Sequence, residues 1–231
     1  MLALGVSDVH SPIWLKELQE EVAKWENKGV DLVLVAGDLT NKGNAFYYRK
    51  AIKVLLRLGA KIVAVFGNDE YEEVKDRIRK DNPEVIFLED ESVTLEIGGM
   101  EVGIVGSKGS LETPTSWQRR HIPGIEEIYE ERVNLVGELL RSLRSDLRIL
   151  LTHYATTRAT MRGENPKIYK FLGHGGYEKY FREGLVDVAV HGHVHNGTKV
   201  AKVGSTIIYN VAFPLWKTLV KIESGGLQSF F

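Results

Sequence analysis

The sequence predicts an α/β fold. Short apolar runs rich in Val, Leu and Ile alternate with longer segments in which apolar residues recur at helical spacing. The run 30–36 consists almost entirely of Val and Leu and is typical of a buried strand. The segment 13–28 places Ile13, Leu18, Val22 and Trp25 roughly on one helical face. Strands that alternate with helices in this way are typical of layered α/β domains.

The first part of the chain contains three predicted strands and three predicted helices. In chain order these are a strand at 2–6, a helix at about 13–28, a strand at 30–36, a helix at 45–58, a strand at 61–66 and a helix at 70–80. Gly29 and Gly59 follow the first two helices, in the position where a glycine commonly ends a helix. Pro83 interrupts the pattern after the third.

The remainder of the chain is richer in strands. We predict strands at 85–88, 93–97, 101–105, 147–151, 186–190, 198–203, 206–211 and 218–222, and one long helix at 125–144. Gly98 and Gly99 indicate a hairpin. Residues 107–123 and 156–176 show no regular period. No internal repeat or linker divides the chain, so we expect one domain over residues 1–231.

Composition excludes several classes of function. The net charge of -1 provides no general attraction to nucleic acid or to an anionic membrane. The absence of cysteine excludes disulfides, thiolate metal sites and cysteine nucleophiles. No basic segment precedes the first apolar run, and no stretch approaches the roughly 18 apolar residues of a membrane helix. We therefore expect a soluble, cytoplasmic protein without membrane contact.

Polar residues able to bind a metal follow five of the predicted strands. They are Asp8 and His10, Asp38, Asn68 with Asp69 and Glu70, His153, and His193 with His195. Ligands gather at the carboxyl ends of strands in open α/β sheets. The pairs Asp8/His10 and His193/His195 are two residues apart, and an extended backbone would point both members of a pair to the same side.

The residue types indicate the metal chemistry. Carboxylate, imidazole and amide oxygen, without sulfur, suit manganese, iron, zinc or a similar first-row cation. Three Asp or Asn side chains and four histidines exceed what one such ion takes from a protein while leaving room for a substrate. Two ions that share one carboxylate are the economical arrangement.

These residues also resemble a known motif series. Asp8-x-His10, Gly37-Asp38, Gly67-Asn68-x-Glu70, His153 and Gly192-His193-x-His195 occur in the order of the motifs of the calcineurin-like metallophosphoesterases. The resemblance extends to about residue 196. It implies a four-layer α/β/β/α sandwich, in which two mixed β-sheets are flanked by helices and the site lies at the edge of the sheets.

The resemblance further implies the role of each residue. Asp8, His10 and His195 would bind one divalent ion, Asn68, His153 and His193 the other, and Asp38 would bridge them. We expect Mn²⁺, with Fe, Zn²⁺ or Ni²⁺ as alternatives. A hydroxide bridging the metals would attack the phosphorus of a phosphate ester in line. We assign catalysis to Asp38, Asn68, Asp69 and His153.

One position departs from the family pattern. The family often has His where this chain has Asp69, and that His protonates the leaving group or stabilises the transition state. An exposed Asp with a pKa near 3.9 is a poor acid at neutral pH. We therefore expect weak protonation of the leaving group, unless His191 or His174 supplies the proton. A core role is favoured for His191, and a turn for the glycine-rich segment around His174.

Two irregular segments carry further candidates. Trp117, Arg119, Arg120 and His121 would form either a lid over the substrate or a solvated loop. Arg158 and Arg162 would be either phosphate clamps or surface charges. Tyr154 is expected to serve in packing.

Three functions follow from these observations. The first is hydrolysis of phosphodiesters or phosphomonoesters. The second is a nuclease of the same family, in which nucleic acid would be bound as the substrate and not as a separate partner. It is disfavoured because no basic surface is evident and only about 36 residues follow the last motif. The third is a non-catalytic scaffold, as in a retromer subunit with this fold, against which the complete ligand set argues. The sequence leaves open the substrate, the metal and the oligomeric state.

Overall fold

Two mixed β-sheets are formed by eleven strands within residues 1–223, the part of the chain that the computed structural model describes. The strands are β1 (Ala3–Val6), β2 (Leu32–Ala36), β3 (Lys61–Val65), β4 (Val85–Phe87), β5 (Glu91–Ile97), β6 (Met100–Ser107), β7 (Leu147–Thr152), β8 (Val188–His191), β9 (Val200–Val203), β10 (Thr206–Asn210) and β11 (Val220–Ile222). The last eight residues of the predicted single domain lie outside the described range.

Each sheet is parallel at its centre and antiparallel at one or both edges. The first has the order β11-β1-β2-β3-β4, in which only β11 is antiparallel to its neighbour. The second has the order β5-β6-β7-β8-β10-β9, with β5 and β9 antiparallel to theirs. Parallel neighbours end at the same edge, so the loops after β1, β2 and β3 emerge together, as do those after β6, β7 and β8.

Seven α-helices lie within the same residues. They are α1 (Leu15–Trp25), α2 (Ala45–Leu55), α3 (Glu72–Asp81), α4 (Ser116–His121), α5 (Ile125–Ser142), α6 (Glu178–Arg182) and α7 (Phe213–Trp216). Short 3₁₀ helices span Leu56–Leu58, Ala159–Met161, Pro166–Phe171 and Gly175–Tyr177. None of the helices in residues 1–223 has both the length and the apolar character needed to cross a bilayer.

The hydrophobic core has three principal layers. Strand β2 shows why: Val33 and Val35 pack with α1 and α2, whereas Leu32, Leu34 and Ala36 face the second sheet. Successive side chains of a strand point to opposite faces, so an all-apolar strand serves two cores at once. Helices α5 and α6 cover the outer face of the second sheet. The predicted four-layer α/β/β/α sandwich is therefore confirmed.

Most predicted elements are present, with differences at their ends. The hairpin forms at Gly98 and Gly99, both with positive φ, and pairs Ile97 with Met100. Helix α1 is shorter than predicted, and Ile13 lies outside it, 54% exposed. Helix α3 begins at Glu72 instead of residue 70, because the Glu70 carboxylate is turned inward and accepts backbone hydrogen bonds.

The irregular segments contain short elements that the sequence analysis missed. Helix α4 lies in 107–123 and the three later 3₁₀ helices lie in or at the end of 156–176, while α6 and α7 were not predicted at all. Elements of three to six residues span too few turns to produce an apolar periodicity. The capping box between Thr115 and Gln118 was the available signal for α4.

Candidate metal centre

The predicted site residues follow five strands whose carboxyl ends meet at one edge of the sandwich. Strands β1, β2 and β3 are neighbours in the first sheet and β7 and β8 in the second. Strand β2 packs across the interface against β7 and β8, and β3 packs against β7. The loops that leave these strands therefore converge.

The backbone at the site is not extended, so the extended conformation predicted for the pairs Asp8/His10 and His193/His195 is wrong. Asp8, His10, Asp38 and His193 all have positive φ, of 57°, 43°, 53° and 65°. Such backbone is uncommon for residues other than glycine and tends to occur at functional sites. The side chains of Asp8 and His10 do converge, but through left-handed backbone after β1 ends.

Glycines before the site residues permit the close approach of two loops. A Cβ on Gly37, whose φ is +83°, would lie 2.8 Å from Nδ1 of His153 and 2.7 Å from the amide nitrogen of Gly67. A Cβ on Gly67 would lie 2.1 Å from Oδ1 of Asp38. The glycines in these two motifs are therefore explained by packing at the site.

Asp8 is fully buried and contacts both ends of the motif series. Its Oδ2 accepts hydrogen bonds from the Ser7 hydroxyl at 2.5 Å and from the backbone amide of His193 at 2.9 Å. Its Oδ1 lies 3.0 Å from Nε2 of His195 and 3.8 Å from Nε2 of His10. Ser7 was not predicted as a site residue, although it adjoins the first motif.

Asp69 orients His10. Its Oδ2 lies 3.2 Å from Nδ1 of His10, which leaves Nε2 directed towards Asp8. The Asp69 side chain is 22% exposed instead of freely exposed as expected. Burial raises its pKa, but the hydrogen bond and the charge of His10 outweigh burial and lower the pKa below its ordinary value. Asp69 is therefore held as a carboxylate, in the arrangement by which proteins position a ligating histidine.

His153 and Asn68 present two lone pairs to each other. Nδ1 of His153 lies 2.9 Å from the Ala36 carbonyl, which can only accept, so Nδ1 carries the ring proton. Burial lowers the pKa of His153, so the ring is neutral and Nε2 holds a lone pair. That atom lies 3.0 Å from Oδ1 of Asn68 and 3.5 Å from Oδ2 of Asp38. A cation among these three atoms would satisfy all of them.

His193 occupies a different position from the other histidines. Its ring lies 4.9 Å from that of His153 and 4.8 Å from that of Tyr154, between centroids. Its Nε2 lies 3.4 Å from the Phe171 carbonyl oxygen. The Nδ1 atom is therefore the one available to a ligand. Tyr154 is buried and packs against both rings, as predicted.

Glu70 has a structural role that the sequence analysis did not assign. It is 1% exposed, and its carboxylate accepts the backbone amides of Gly67 at 2.7 Å, Asp38 at 2.8 Å and Thr40 at 3.2 Å. These amides belong to the loops after β2 and β3. One side chain thus fixes both loops relative to each other. Its position in the motif Gly67-Asn68-x-Glu70 was the sequence feature that could have indicated this role.

Three groups of side chains within residues 1–223 bring one ligand atom each to within 4.8 Å of one another. They are Asp8, His10 and His195; Asp8, Asp38 and His153; and His10, Asp38 and Asp69. Asp8, His10 and Asp38 each belong to two of the groups. Oxygen and nitrogen donors that are shared in this way fit divalent first-row cations and are typical of sites for more than one ion.

Crowded carboxylates shift the proton affinities at the centre. Burial and the charge of Asp8 raise the pKa of Asp38 to about 8. Burial and the charge of Asp38 raise the pKa of Glu70 to about 7. Burial alone would lower the pKa of His10, but hydrogen bonding to Asp69 and the nearby carboxylates raise it to about 9. Divalent cations bound by Asp38 and His10 would replace the protons on these two side chains.

We expect the stabilisation by Mn²⁺ to increase with pH. The folded pKa values of Asp38, Glu70 and His10 lie above their ordinary values of 3.8, 4.5 and 6.5. The metal-free folded state therefore holds protons that the unfolded state has released, and the contribution of these three groups to its stability falls as pH rises from about 4 to about 9. The gain in Tm on adding Mn²⁺ should be larger at about pH 8.5 than at about pH 6.5, by on the order of 5 °C. Equal gains measured by calorimetry would contradict this.

The ring nitrogens of the remaining histidine candidates contact groups outside the proposed ligand set. His191 is fully buried, with Nε2 2.8 Å from the Thr160 hydroxyl, as expected for a core histidine. His174 lies 3.3 Å from a carboxylate oxygen of Glu130, and its Nδ1 accepts the Gly176 amide. Neither contact places the ring at the candidate metals.

The arginine and tryptophan candidates behave as surface groups. The Arg158 guanidinium pairs with Glu112, and Arg119 pairs with Glu126 at 2.8 Å. Trp117 is 58% exposed and stacks on His121 with 4.5 Å between ring centroids. Arg120 bonds the Ser116 carbonyl, and Arg162 is exposed. The contacts within the described residues therefore favour a solvated segment over a lid.

The fold and the site together define a class of protein. Residues 1–197 match the family of calcineurin-like phosphoesterases, and the chain belongs to that family. The family supports metal-dependent hydrolysis of phosphate esters. Its members depend on two metal ions, and the clusters described above could bind metal.

Individual relatives are more distant. The uncharacterized protein YpbG of Bacillus subtilis (strain 168) is 27% identical over 195 residues, which are 83% of this chain and 60% of YpbG. This chain therefore spans about 60% of the length of that relative. Phosphopantetheinyl hydrolase (PptH) from Mycobacterium tuberculosis has a TM-score of 0.70 at 15% identity, covering 97% of this chain and 96% of PptH. The protein TT1561 of Thermus thermophilus has a TM-score of 0.63 at 15% identity, covering 97% of this chain and 99% of TT1561. These structural likenesses show the fold.

Proposed function

We propose that this protein hydrolyses phosphodiesters or phosphomonoesters at a centre of two divalent cations. The observation that supports it most is the arrangement of donors, in which Asp8, His10 and Asp38 each belong to two adjoining groups. One ion would be held by Asp8, His10 and His195, and the other by Asn68, His153 and His193. Asp38 would contribute to both. We propose Mn²⁺ as the native metal, with iron, zinc and nickel as alternatives.

The protein would contribute to the reaction by holding the metal ligands in fixed positions. When bound, the two cations offset the negative charge of the phosphate and make water at the site more acidic. Asp69 holds the His10 ring through Nδ1, and the Ala36 carbonyl holds the His153 ring in the same way. Glu70 keeps the loop that carries Asp38 in register with the loop that carries Asn68. Preorganised ligands of this kind reduce reorganisation during the reaction.

Two alternatives are distinguished by experiment. A nuclease of the same family would use the same centre on nucleic acid. A non-catalytic scaffold would not need tight metal binding, and the paired lone pairs of His153 and Asn68 argue against it. The expected cytoplasmic location stays a prediction from the sequence.

The proposed function is tested by metal reconstitution. The full chain is stripped of metal, reloaded with Mn²⁺, and assayed with bis-p-nitrophenyl phosphate and p-nitrophenyl phosphate. We expect turnover that requires the added metal, and the ratio of the two rates indicates the substrate class. Turnover of neither ester and none of single-stranded DNA would contradict the proposal, and a lack of tight Mn²⁺ binding would in addition favour the scaffold.

We also expect a steep dependence of rate on the leaving group. Asp69 is held as a carboxylate by His10, and His191 and His174 are bonded elsewhere, so none of them donates a proton to the departing oxygen. Loss of general acid catalysis costs about 10²-fold to 10⁴-fold. Across a series of aryl methyl phosphodiesters, the rate should fall strongly as the pKa of the leaving phenol rises. A flat series would show that another acid acts.

A further inference from the structure

Lys108 lies at the same edge of the sandwich as the candidate metal centre. It directly follows β6, whose last residue, Ser107, pairs with Thr152 beside His153. The Lys108 carbonyl accepts the Tyr154 amide at 3.0 Å, and the Gly109 amide donates to the Ser107 hydroxyl at 3.0 Å. Strand β6 also packs across the interface against β3. The position of Lys108 is therefore fixed between the loops that follow β3 and β7.

The charges around Lys108 belong to the centre. Lys108 is partly buried, and burial lowers its pKa, while the charges of Asp38 and Glu70 raise it. It also contributes to the lowered pKa of His153. The ammonium group is thus within electrostatic range of residues that follow β2, β3 and β7.

Lys108 differs from the two cations whose charges lower its pKa, Lys75 and Arg132. Lys75 pairs with Glu72 at 2.6 Å and also with Glu89, and Arg132 pairs with Asp90 at 2.9 Å. Within residues 1–223, no hydrogen-bond or ion-pair partner is found for the Lys108 ammonium. Burying a charge without a partner is costly, so a partly buried ammonium that lies beside a site without a partner is best explained by an anion that binds there.

We propose that Lys108 is a substrate-binding residue whose ammonium contacts a non-bridging oxygen of the phosphate ester. The proposal rests on the proposed function and adds a protein cation to the charge of the metals. Lysine commonly binds phosphate as a point charge. A role only as counter-ion to Asp38 is less suitable, because within residues 1–223 no ion pair or hydrogen bond joins the Lys108 ammonium to the Asp38 carboxylate, whose Oδ1 already accepts the Asp69 amide at 2.7 Å.

The test uses the full chain loaded with Mn²⁺. Lys108→Met removes the charge and keeps most of the length, Lys108→Arg keeps the charge, and Lys53→Met on the exposed face of α2 is the matched control. For Lys108→Met we expect unchanged manganese content, inorganic phosphate bound on the order of 10-fold more weakly by calorimetry, and a similarly raised KM for the ester. Lys108→Arg should retain most phosphate binding, and Lys53→Met all of it.

Two results would overturn the role of Lys108. One is phosphate binding and KM unchanged in Lys108→Met, and the other is a loss of manganese that accounts for the whole effect. Lys108→Gln replaces Lys108→Met if the latter lacks a cooperative thermal transition. A parent chain that binds Mn²⁺ and phosphate but hydrolyses no ester would contradict the proposed function alone, since the phosphate measurement still decides the role of Lys108. A parent chain that binds Mn²⁺ but no phosphate would overturn the role of Lys108.

Discussion

Asp38→Asn is expected to reduce metal-dependent hydrolysis by at least about 10³-fold while the protein remains folded. Asp38 belongs to two of the three ligand groups, so the substitution removes negative charge from both proposed metal positions. Its Oδ1 accepts the Asp69 amide at 2.7 Å, and an asparagine oxygen can accept the same bond. The loss should therefore appear in metal binding and turnover and not in folding.

The measurement is kcat/KM for bis-p-nitrophenyl phosphate at saturating Mn²⁺, with metal content determined on the same samples. Asp76→Asn on α3 is the control, since the Asp76 side chain is fully exposed. We expect that control to match the parent chain. An Asp38→Asn protein with more than a tenth of the parent activity would show that Asp38 does not bridge the metals.

Glu70→Ala is expected to lower the free energy of unfolding by about 3 kcal/mol or more, because three buried amides lose their acceptor at about 1–3 kcal/mol each. The amides of Gly67, Asp38 and Thr40 all donate to this carboxylate. Without it, the loops after β2 and β3 are no longer tied together. We therefore also expect weaker Mn²⁺ binding and a corresponding loss of hydrolysis.

Urea unfolding of the metal-free protein measures the first effect, and Mn²⁺ titration measures the second. Glu73→Ala, at an exposed position in the first turn of α3, is the matched control and should change neither. Glu70→Gln retains one acceptor oxygen and should have an intermediate effect. If Glu70→Ala were as stable as the control, the carboxylate would not be what joins the two loops.

Much of the fold could be predicted from local patterns. The run around Val33 is apolar throughout because it is buried on both faces, and that property is visible within five residues. The hairpin at Gly98 and Gly99 is equally local, because its turn requires positive φ. Elements such as α4 and α7 lack an extended pattern, and packing around them determines that they form.

The candidate site likewise has features that the sequence predicted and features that it could not predict. Asp8, Asp38, His153 and His195 follow strands, and the sequence indicated their convergence through strand order alone. The backbone at Asp8 and Asp38 could not be predicted, because left-handed turns at these residues are stabilised by contacts with other loops. The extended conformation assumed from the spacing was therefore wrong, although the residues do meet.

The sequence by itself determined the fold class, the family and the residue types available for metal binding, since these depend on the order and spacing of residues along the chain. Only the tertiary structure decided that Asp69 is bonded to His10, that Glu70 joins two loops, and that Lys108 lies near Asp38 without a partner among residues 1–223. Each of these relations joins segments that are distant in sequence. Such contacts depend on how two sheets pack and on the charges they bury together, which spacing along one chain does not specify.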